Sequence, residues 1–383
     1  MSPKLVIVTE IIAPYRIPVF NALARRPEID LHVIFLSEND PGLRQWRVYK
    51  DEIKFRYTVL PSWRRRFGGY NVLINRGLLS TLNTIRPDAV VSGGYNYLAS
   101  WESAYWTKVH RAPLLLWTES TALDSRCGHR FVEFMKTRFL NLCRAFVVPG
   151  KSSLQYLKDL GIADRRIFRA PNAVDIQLFA DLSEAARQDE PQVRSRLSPP
   201  LQYFLYVGRL VRAKGVFDLF EAYARLDDEV RAKVGLVFVG DGADRSALME
   251  RSSRIAPGTI QFRGFLHREE LPEFYALADA LIFPSHSDTW GLAVNEAMSC
   301  GLPVIVTSVA GCAADLVKDG WNGYVVSPAD PSQLAAAMAR LAGDSRLRVE
   351  MGFRSRERVA EYSPEAWAEG LVKAMESVIA RRP

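Results

Sequence analysis

The sequence predicts an α/β protein of two doubly wound domains, each a parallel sheet covered by helices on both faces. Three observations carry that prediction. The chain has 383 residues, more than the roughly 100–200 of one ordinary domain. Short, near-continuous apolar and β-branched runs alternate with segments whose apolar residues recur at three and four, as expected of doubly buried strands between amphipathic helices. The alternation runs through the first half and starts again in the second, across a polar stretch at 181–200 whose Pro191, Pro199 and Pro200 give it the composition of a linker.

In the first half, residues 4–9, 31–36, 55–60, 88–92, 114–118 and 145–149 read as strands, and 17–26, 72–85 and 152–160 as helices. In the second half the strands fall at 203–207, 236–240, 260–263, 280–284, 303–307 and 323–326. Its helices fall at 216–226, 269–277, 292–299 and 332–341, and a last helical pair at 347–361 and 364–379 ends the chain. The expected divisions are an N-terminal domain at 1–180, a linker at 181–200, a second domain at 201–363 and a closing helix at 364–383. Ligand is expected in a cleft between the domains, at the carboxyl ends of parallel strands.

The composition, 48% hydrophobic and 24% charged, is that of a soluble globular protein. No apolar stretch approaches the roughly 20 residues of a membrane span. Residues 1–9 run straight into a strand with none of the features of a signal peptide, so a cytoplasmic location is expected. Cys127, Cys143, Cys300 and Cys312 lack CxxC spacing, and His32, His110, His129, His267 and His286 lack ligand spacing. The cysteines read as small buried residues of a reducing compartment, and no metal is expected.

The net charge of +7 is unevenly placed. Residues 1–180 hold 26 Lys and Arg against 15 Asp and Glu, a balance of +11, and the remainder hold 24 against 28, a balance of −4. A basic half suits an anionic membrane, a nucleic acid, an acidic acceptor or simple solubility. The run Trp63-Arg-Arg-Arg-Phe67 and the helix-like 130–142 point to peripheral docking on an anionic membrane at the inner face. In the latter, Phe131, Phe134 and Phe139 interleave with Arg130, Lys136 and Arg138. The plainer alternative is an aromatic core face beside solvated charges.

Chemistry concentrates in two segments. In Val207-Gly-Arg-Leu-Val-Arg-Ala-Lys-Gly215, a strand ends in Gly208, and Arg209 and Lys214 bracket a short loop before a helix. A guanidinium offers bidentate phosphate contact and an ammonium a compact charge, so the two suit a diphosphate. In Pro284-Ser-His-Ser-Asp-Thr-Trp-Gly-Leu-Ala-Val-Asn-Glu-Ala-Met298, Asp288 and Glu296 stand eight apart around Gly291, which opens the helix. Its free N–H groups form an anion site, and the carboxylates suit a ribose diol and sugar hydroxyls. Taken singly, Arg209 and Lys214 read as solvated loop charges, Asp288 as a helix cap and Glu296 as a solvated helix face.

Together these residues resemble the donor domain of the retaining glycosyltransferases of family 4, which have the GT-B fold. Pro171-Asn-Ala-Val-Asp175 is similar to the family's PNGVD, and Phe262-Arg-Gly-Phe-Leu266 with Leu271, Tyr275, Ala278 and Asp279 to its base-binding strand and following helix. Pro284-Ser285, Gly291, Glu296, Ala297, Met298, Gly301 and Pro303-Val304 complete the signature. The resemblance implies two Rossmann-like domains facing a cleft, with a C-terminal helix returning to the first. Arg209 and Lys214 would hold the donor diphosphate beside Gly208, Glu296 the ribose, and Asp288 with Thr289, Trp290, Gly291, Leu292 and Ala293 the donor sugar and phosphate. Gly264 and Phe265 would lie near the base.

The chain departs from the family's pattern in three places. Asp288 stands where the family usually has glutamate, one methylene longer. Glu119 follows the 114–118 strand where many members have histidine, which implies a role near the acceptor and reaction centre, with an ordinary strand-end carboxylate as the alternative. Thr9-Glu-Ile-Ile-Ala-Pro-Tyr-Arg16 lacks the family's glycines, and Arg16 is a candidate phosphate or acceptor contact.

The resemblance further implies transfer from a UDP- or GDP-sugar to a hydroxyl of a sugar, lipid-linked or small-molecule acceptor, with retention and with no cofactor or metal. A front-face path, in which the leaving phosphate helps remove the acceptor proton, is the favoured route. Two alternatives stand beside it: a nucleotide-sugar 2-epimerase of the same fold, and a basic nucleic-acid-binding protein. The second is disfavoured because no recognition module is visible and the phosphate-type motif lies in the acidic half.

Overall fold

The computed structural model describes residues 2–40, 46–67, 70–122, 130–255 and 258–379. Cys127 and His129 lie outside them, as do the side chains of Arg66, Phe67, Arg130 and Phe131. The chain forms two compact units, residues 1–174 with 363–383, and residues 175–362.

Unit 1 contains β1 (Lys4–Thr9), β2 (Asp30–Phe35), β3 (Arg56–Val59), β4 (Ser62–Phe67), β5 (Tyr70–Asn75), β6 (Ala89–Ser92), β7 (Leu114–Trp117), β8 (Ala145–Val148) and β9 (Ile167–Arg169). Seven of these make a parallel sheet in the order β3-β2-β1-β6-β7-β8-β9, so the strand order reverses between β1 and β6. Alternation along β1 feeds both faces. Leu5 and Ile7 join one apolar cluster, with Phe20, Val33, Leu115 and Trp117, while Val6 and Val8 join the other, with Leu82, Val90, Trp106 and Phe139. The closing helix Pro364–Ile379 belongs to the first cluster through Trp367, Leu371 and Met375. Gly370 lets that helix reach the sheet, since a Cβ there would lie 2.1 Å from the Arg169 carbonyl oxygen.

Unit 2 contains β10 (Gln202–Val207), β11 (Val234–Val239), β12 (Ile260–Phe262), β13 (Ala280–Phe283), β14 (Val304–Thr307) and β15 (Gly323–Val326). They form a second parallel sheet in the order β12-β11-β10-β13-β14-β15, with its reversal between β10 and β13. Every residue of β11, β13 and β14 is buried, as near-continuous apolar strands require.

Several expectations need correction. Residues 72–85 are not one helix. Leu73 is buried while Val72 and Ile74 on either side are exposed, a period of two, so this part is β5, paired antiparallel with β4, and the helix begins at Leu78. Residues 181–200, read as a linker, are mostly helical: Ile176–Gln188 and Glu190–Leu197. Asp175 caps the first by accepting from the Leu178 N–H at 3.0 Å, and Pro191 falls in the first turn of the second, where proline is tolerated.

The basic run is also not a uniform surface. Arg64 turns inward to Glu10 at 3.0 Å and Asp40 at 2.7 Å, leaving Trp63 and Arg65 exposed. On the helix Arg130–Leu142, Phe139 is buried and Phe134 exposed, and Lys136 is buried with its ammonium on the Tyr156 hydroxyl at 2.9 Å. Among the described residues no helix is long and apolar enough to cross a membrane.

Candidate functional site

In unit 2 the chemistry gathers past the carboxyl ends of β10 and β13, the neighbours between which the strand order reverses. After β10 the chain passes Gly208 and Arg209, turns through Arg212–Lys214 and enters the helix Val216–Ala224 at Gly215. Gly215 has φ +68°, and a Cβ there would stand 1.8 Å from the Pro284 carbonyl oxygen. The absence of a side chain therefore lets the β10 loop lie directly on the end of β13. The Ala213 carbonyl accepts from the His286 N–H at 3.0 Å. The Lys214 ammonium then reaches the Ser287 carbonyl at 3.2 Å and forms an ion pair with the Asp288 carboxylate.

The two sequence segments thus meet as one polar cluster. Arg209 is exposed, its carbonyl fixed by the Tyr206 hydroxyl at 2.8 Å, and its guanidinium has no acceptor among the described residues. Asp288 is not a helix cap, for its side chain serves Lys214 and, at 3.3 Å, the Trp290 N–H. The helix Leu292–Ser299 starts at Gly291 with no side chain capping its first turn, and Leu292 and Ala293 are partly exposed. Its N-terminus therefore keeps donors and the positive end of its dipole for an anion.

Trp290 is corrected from ligand contact to packing. Its ring is 2% exposed, and its indole N–H donates to Asn295 Oδ1 at 2.8 Å. Thr289 beside it stays partly exposed. On the same edge of the sheet, past β11, a Cβ on Gly240 would fall 1.9 Å from the Gly208 carbonyl oxygen, and the Gly240 N–H donates to the Gly264 carbonyl at 2.7 Å. Close backbone contact therefore carries the line of strand ends from Gly208 out to Gly264 and to Phe265, whose ring is exposed.

Glu296, partly exposed on its helix, accepts from the Tyr275 hydroxyl at 2.8 Å. Burial pushes its carboxyl up from 4.5 to about 7, against the opposing effect of the tyrosine donor, which favours the charged form. An acid whose folded-state value is raised holds its proton more tightly when folded. The cost of charging it is absent below about pH 4.5, grows as pH rises and is complete above about pH 7. Glu296→Gln should therefore unfold at a higher temperature than the parent at about pH 8 and at the same temperature near pH 4. Thermal melts at the two values check this, and equal shifts at both would refute it.

Unit 1 has a smaller cluster. The Arg16 guanidinium forms an ion pair with Glu119, donates to Asn172 Oδ1 at 3.2 Å and lies 4.0 Å over the Trp117 ring. Arg16 is thereby the partner of Glu119 and not an uncommitted cation. The sequence supplied both residues but not their pairing, nor the part of Asn172, which is 2% exposed within the Pro171–Asp175 motif. It also missed the pair of His286 with Asp218, which ties the β13 loop to the helix Val216–Ala224 and has no spacing signature. Among the described residues, no group of three His, Cys, Asp or Glu side chains is placed to hold a metal.

Two family models match. That described as Glycosyltransferase Family 4 matches residues 20–178, and that described as Glycosyl transferases group 1 matches residues 188–358. A GDP-mannose-dependent alpha-mannosyltransferase of Corynebacterium glutamicum is 32% identical over 65% of this chain and 56% of its own length. A D-inositol 3-phosphate glycosyltransferase of Corynebacterium jeikeium is 32% identical over 54% of this chain and 51% of its own. The chain spans about half the length of the curated relatives it matches. Among solved structures, Anabaena HepE in complex with UDP superposes with a TM-score of 0.76 at 17% identity, covering 98% of this chain and all of the other. Sucrose-phosphate synthase from Thermosynechococcus elongatus gives 0.73 at 20% identity, covering 99% of this chain and all of the other. The fold is thus that of the GT-B glycosyltransferases. With both units matched over most of their length, the chain belongs to the family 4 glycosyltransferases.

Proposed function

We propose that this chain transfers a sugar from a nucleoside diphosphate sugar to an acceptor hydroxyl, with unit 2 holding the donor. The observation that carries the reading is the meeting of Lys214 with Asp288, beside the uncommitted Arg209 and the uncapped helix Leu292–Ser299. An ammonium has three protons. Two are directed at Asp288 and Ser287, and the third remains for a phosphate oxygen. Arg209, Lys214 and the helix N–H groups together stabilise the charge that grows on the departing diphosphate. Asp288, held by Lys214, accepts from a hydroxyl of the donor sugar. Glu296, held by Tyr275, accepts from the ribose, and Phe265 offers a face to the base.

In this reading Glu119 binds the acceptor hydroxyl and Arg16 positions Glu119. The leaving phosphate oxygen takes the acceptor proton on the same face as the new bond, which gives retention, and the fixed cations serve where other sites use a metal. The names of the relatives, one GDP-mannose-dependent, and the UDP held by HepE support a UDP- or GDP-sugar as donor.

The test is a panel of nucleotide sugars with and without acceptors, in EDTA, following nucleoside diphosphate release and the anomeric configuration of the product. The expected result is acceptor-dependent release that survives EDTA, with retention. Loss of activity restored by magnesium or manganese would mean that a cation neutralises the diphosphate. Conversion of the donor at C2 without an acceptor would mean epimerisation.

A further inference from the structure

A second cationic site lies in unit 1, at the opening ends of β7, β8 and β9. A pocket of 970 Å³ is lined by Lys108, Arg111, Arg144, Arg165 and Arg166, and among the described residues no carboxylate lines it. The five come from three separate stretches: the end of the helix Leu98–Val109 and the residues after it, the approach to β8, and the turn before β9. Glu119 follows the closing end of β7, so this pocket and the Arg16–Glu119 cluster stand at opposite ends of that strand.

The plainest use of such cations is to neutralise helix ends. The helices Leu98–Val109 and Arg130–Leu142 both finish here, and each C-terminus carries about half a negative charge. One cation already does this work. The Arg166 Nε–H donates to the Arg144 carbonyl at 3.2 Å, its Nη2 donates to the Cys143 carbonyl, and its plane lies 5.2 Å from the Phe146 ring centroid. The side chains of Lys108, Arg111, Arg144 and Arg165 are exposed and have no acidic partner among the described residues. The carboxylate next to Arg165, Asp164, is paired with Lys158 at 2.9 Å. Arg111 also sits at φ +55°, past the end of its helix, where glycine or asparagine is the ordinary occupant. An uncompensated surplus of positive charge therefore faces one concavity.

We propose that this pocket binds a phosphate-bearing ligand, independently of the donor site. Three of the four uncommitted cations are arginines, whose planar forks match phosphate oxygens two at a time, and Lys108 adds a point charge. The volume exceeds what a bare phosphate needs and suits a phosphate or diphosphate carried on an organic group.

The test uses the full chain with Arg209→Ala, which weakens phosphate binding at the donor site, and inorganic pyrophosphate as calorimetric probe. Binding should persist in that protein and fall about 100-fold when Lys108→Glu and Arg144→Glu are added. Lys108→Gln with Arg144→Gln serves if the reversals impair folding, which thermal melts report. A second arm sediments the same proteins with phosphatidylcholine vesicles containing phosphatidic acid. Pyrophosphate binding that depends on Lys108 and Arg144 identifies a soluble ligand, and vesicle binding alone with that dependence identifies a lipid phosphate. Binding of neither probe, or binding unchanged by the substitutions, overturns the proposal.

Discussion

Arg209→Ala and Lys214→Ala should each lower kcat/KM about 10–100-fold or more, because each removes a charge-assisted phosphate contact worth roughly 1.5–3 kcal/mol that grows stronger as the diphosphate departs. The two should differ in stability. Arg209 is exposed and has no acceptor among the described residues, so its loss should leave the melting temperature unchanged. Lys214 and Asp288 are 16% and 18% exposed, and removing the lysine strands a partly buried carboxylate at a cost of about 1–3 kcal/mol. Adding Asp288→Ala to Lys214→Ala should restore stability without restoring turnover. Steady-state kinetics and thermal melts on the four proteins separate the roles, and near-normal rates in both single variants would remove the assignment.

Trp367→Ala should destabilise unit 1 by about 3–5 kcal/mol, the usual cost of emptying a buried tryptophan site. The ring is fully buried, 5.2 Å from Trp117 and 5.7 Å from Phe20, so the closing helix is part of the unit's core and not an appendage. The same Trp117 lies beneath Arg16, which holds Glu119. Loosening Trp117 should therefore disturb the acceptor side while unit 2 still binds nucleotide. The check is a melt followed by near-ultraviolet signal alongside nucleotide binding. An unchanged melt, or loss of nucleotide binding with it, would contradict the packing argument.

The sheets were legible because parallel strands buried on both faces leave apolar runs that little else produces. Residues 4–9 and 323–326 are strands residue for residue. The hairpin β4–β5 was lost because Val72–Ile74 precedes Leu78, Leu79 and Leu82, and the combined apolar pattern imitates a helix until Gly77 is seen to cap the real one. The helices at 176–197 were hidden by their polar, proline-containing composition, although the Asp175 cap and the buried Phe179, Ser183, Ala186 and Val193 hold them in place.

At the site, sequence supplied the charges but not their partners. Lys214 with Asp288, Glu296 with Tyr275 and Arg16 with Glu119 are pairings between segments 21 to 103 residues apart. The first is set by how closely Gly215 lets two strand ends approach, a property that local pattern does not encode. Trp290 was drawn into the ligand loop by its neighbours, whereas its bulk and its indole N–H belong to the packing around Asn295.

Calorimetric titration of UDP and of GDP into the full chain, into Arg209→Ala and into Glu296→Ala tests the donor site itself. One of the two nucleotides should bind the parent and bind each variant about 10–100-fold more weakly. Absence of binding by both nucleotides, or unchanged affinity in both variants, would contradict a nucleoside diphosphate site at the ends of β10 and β13.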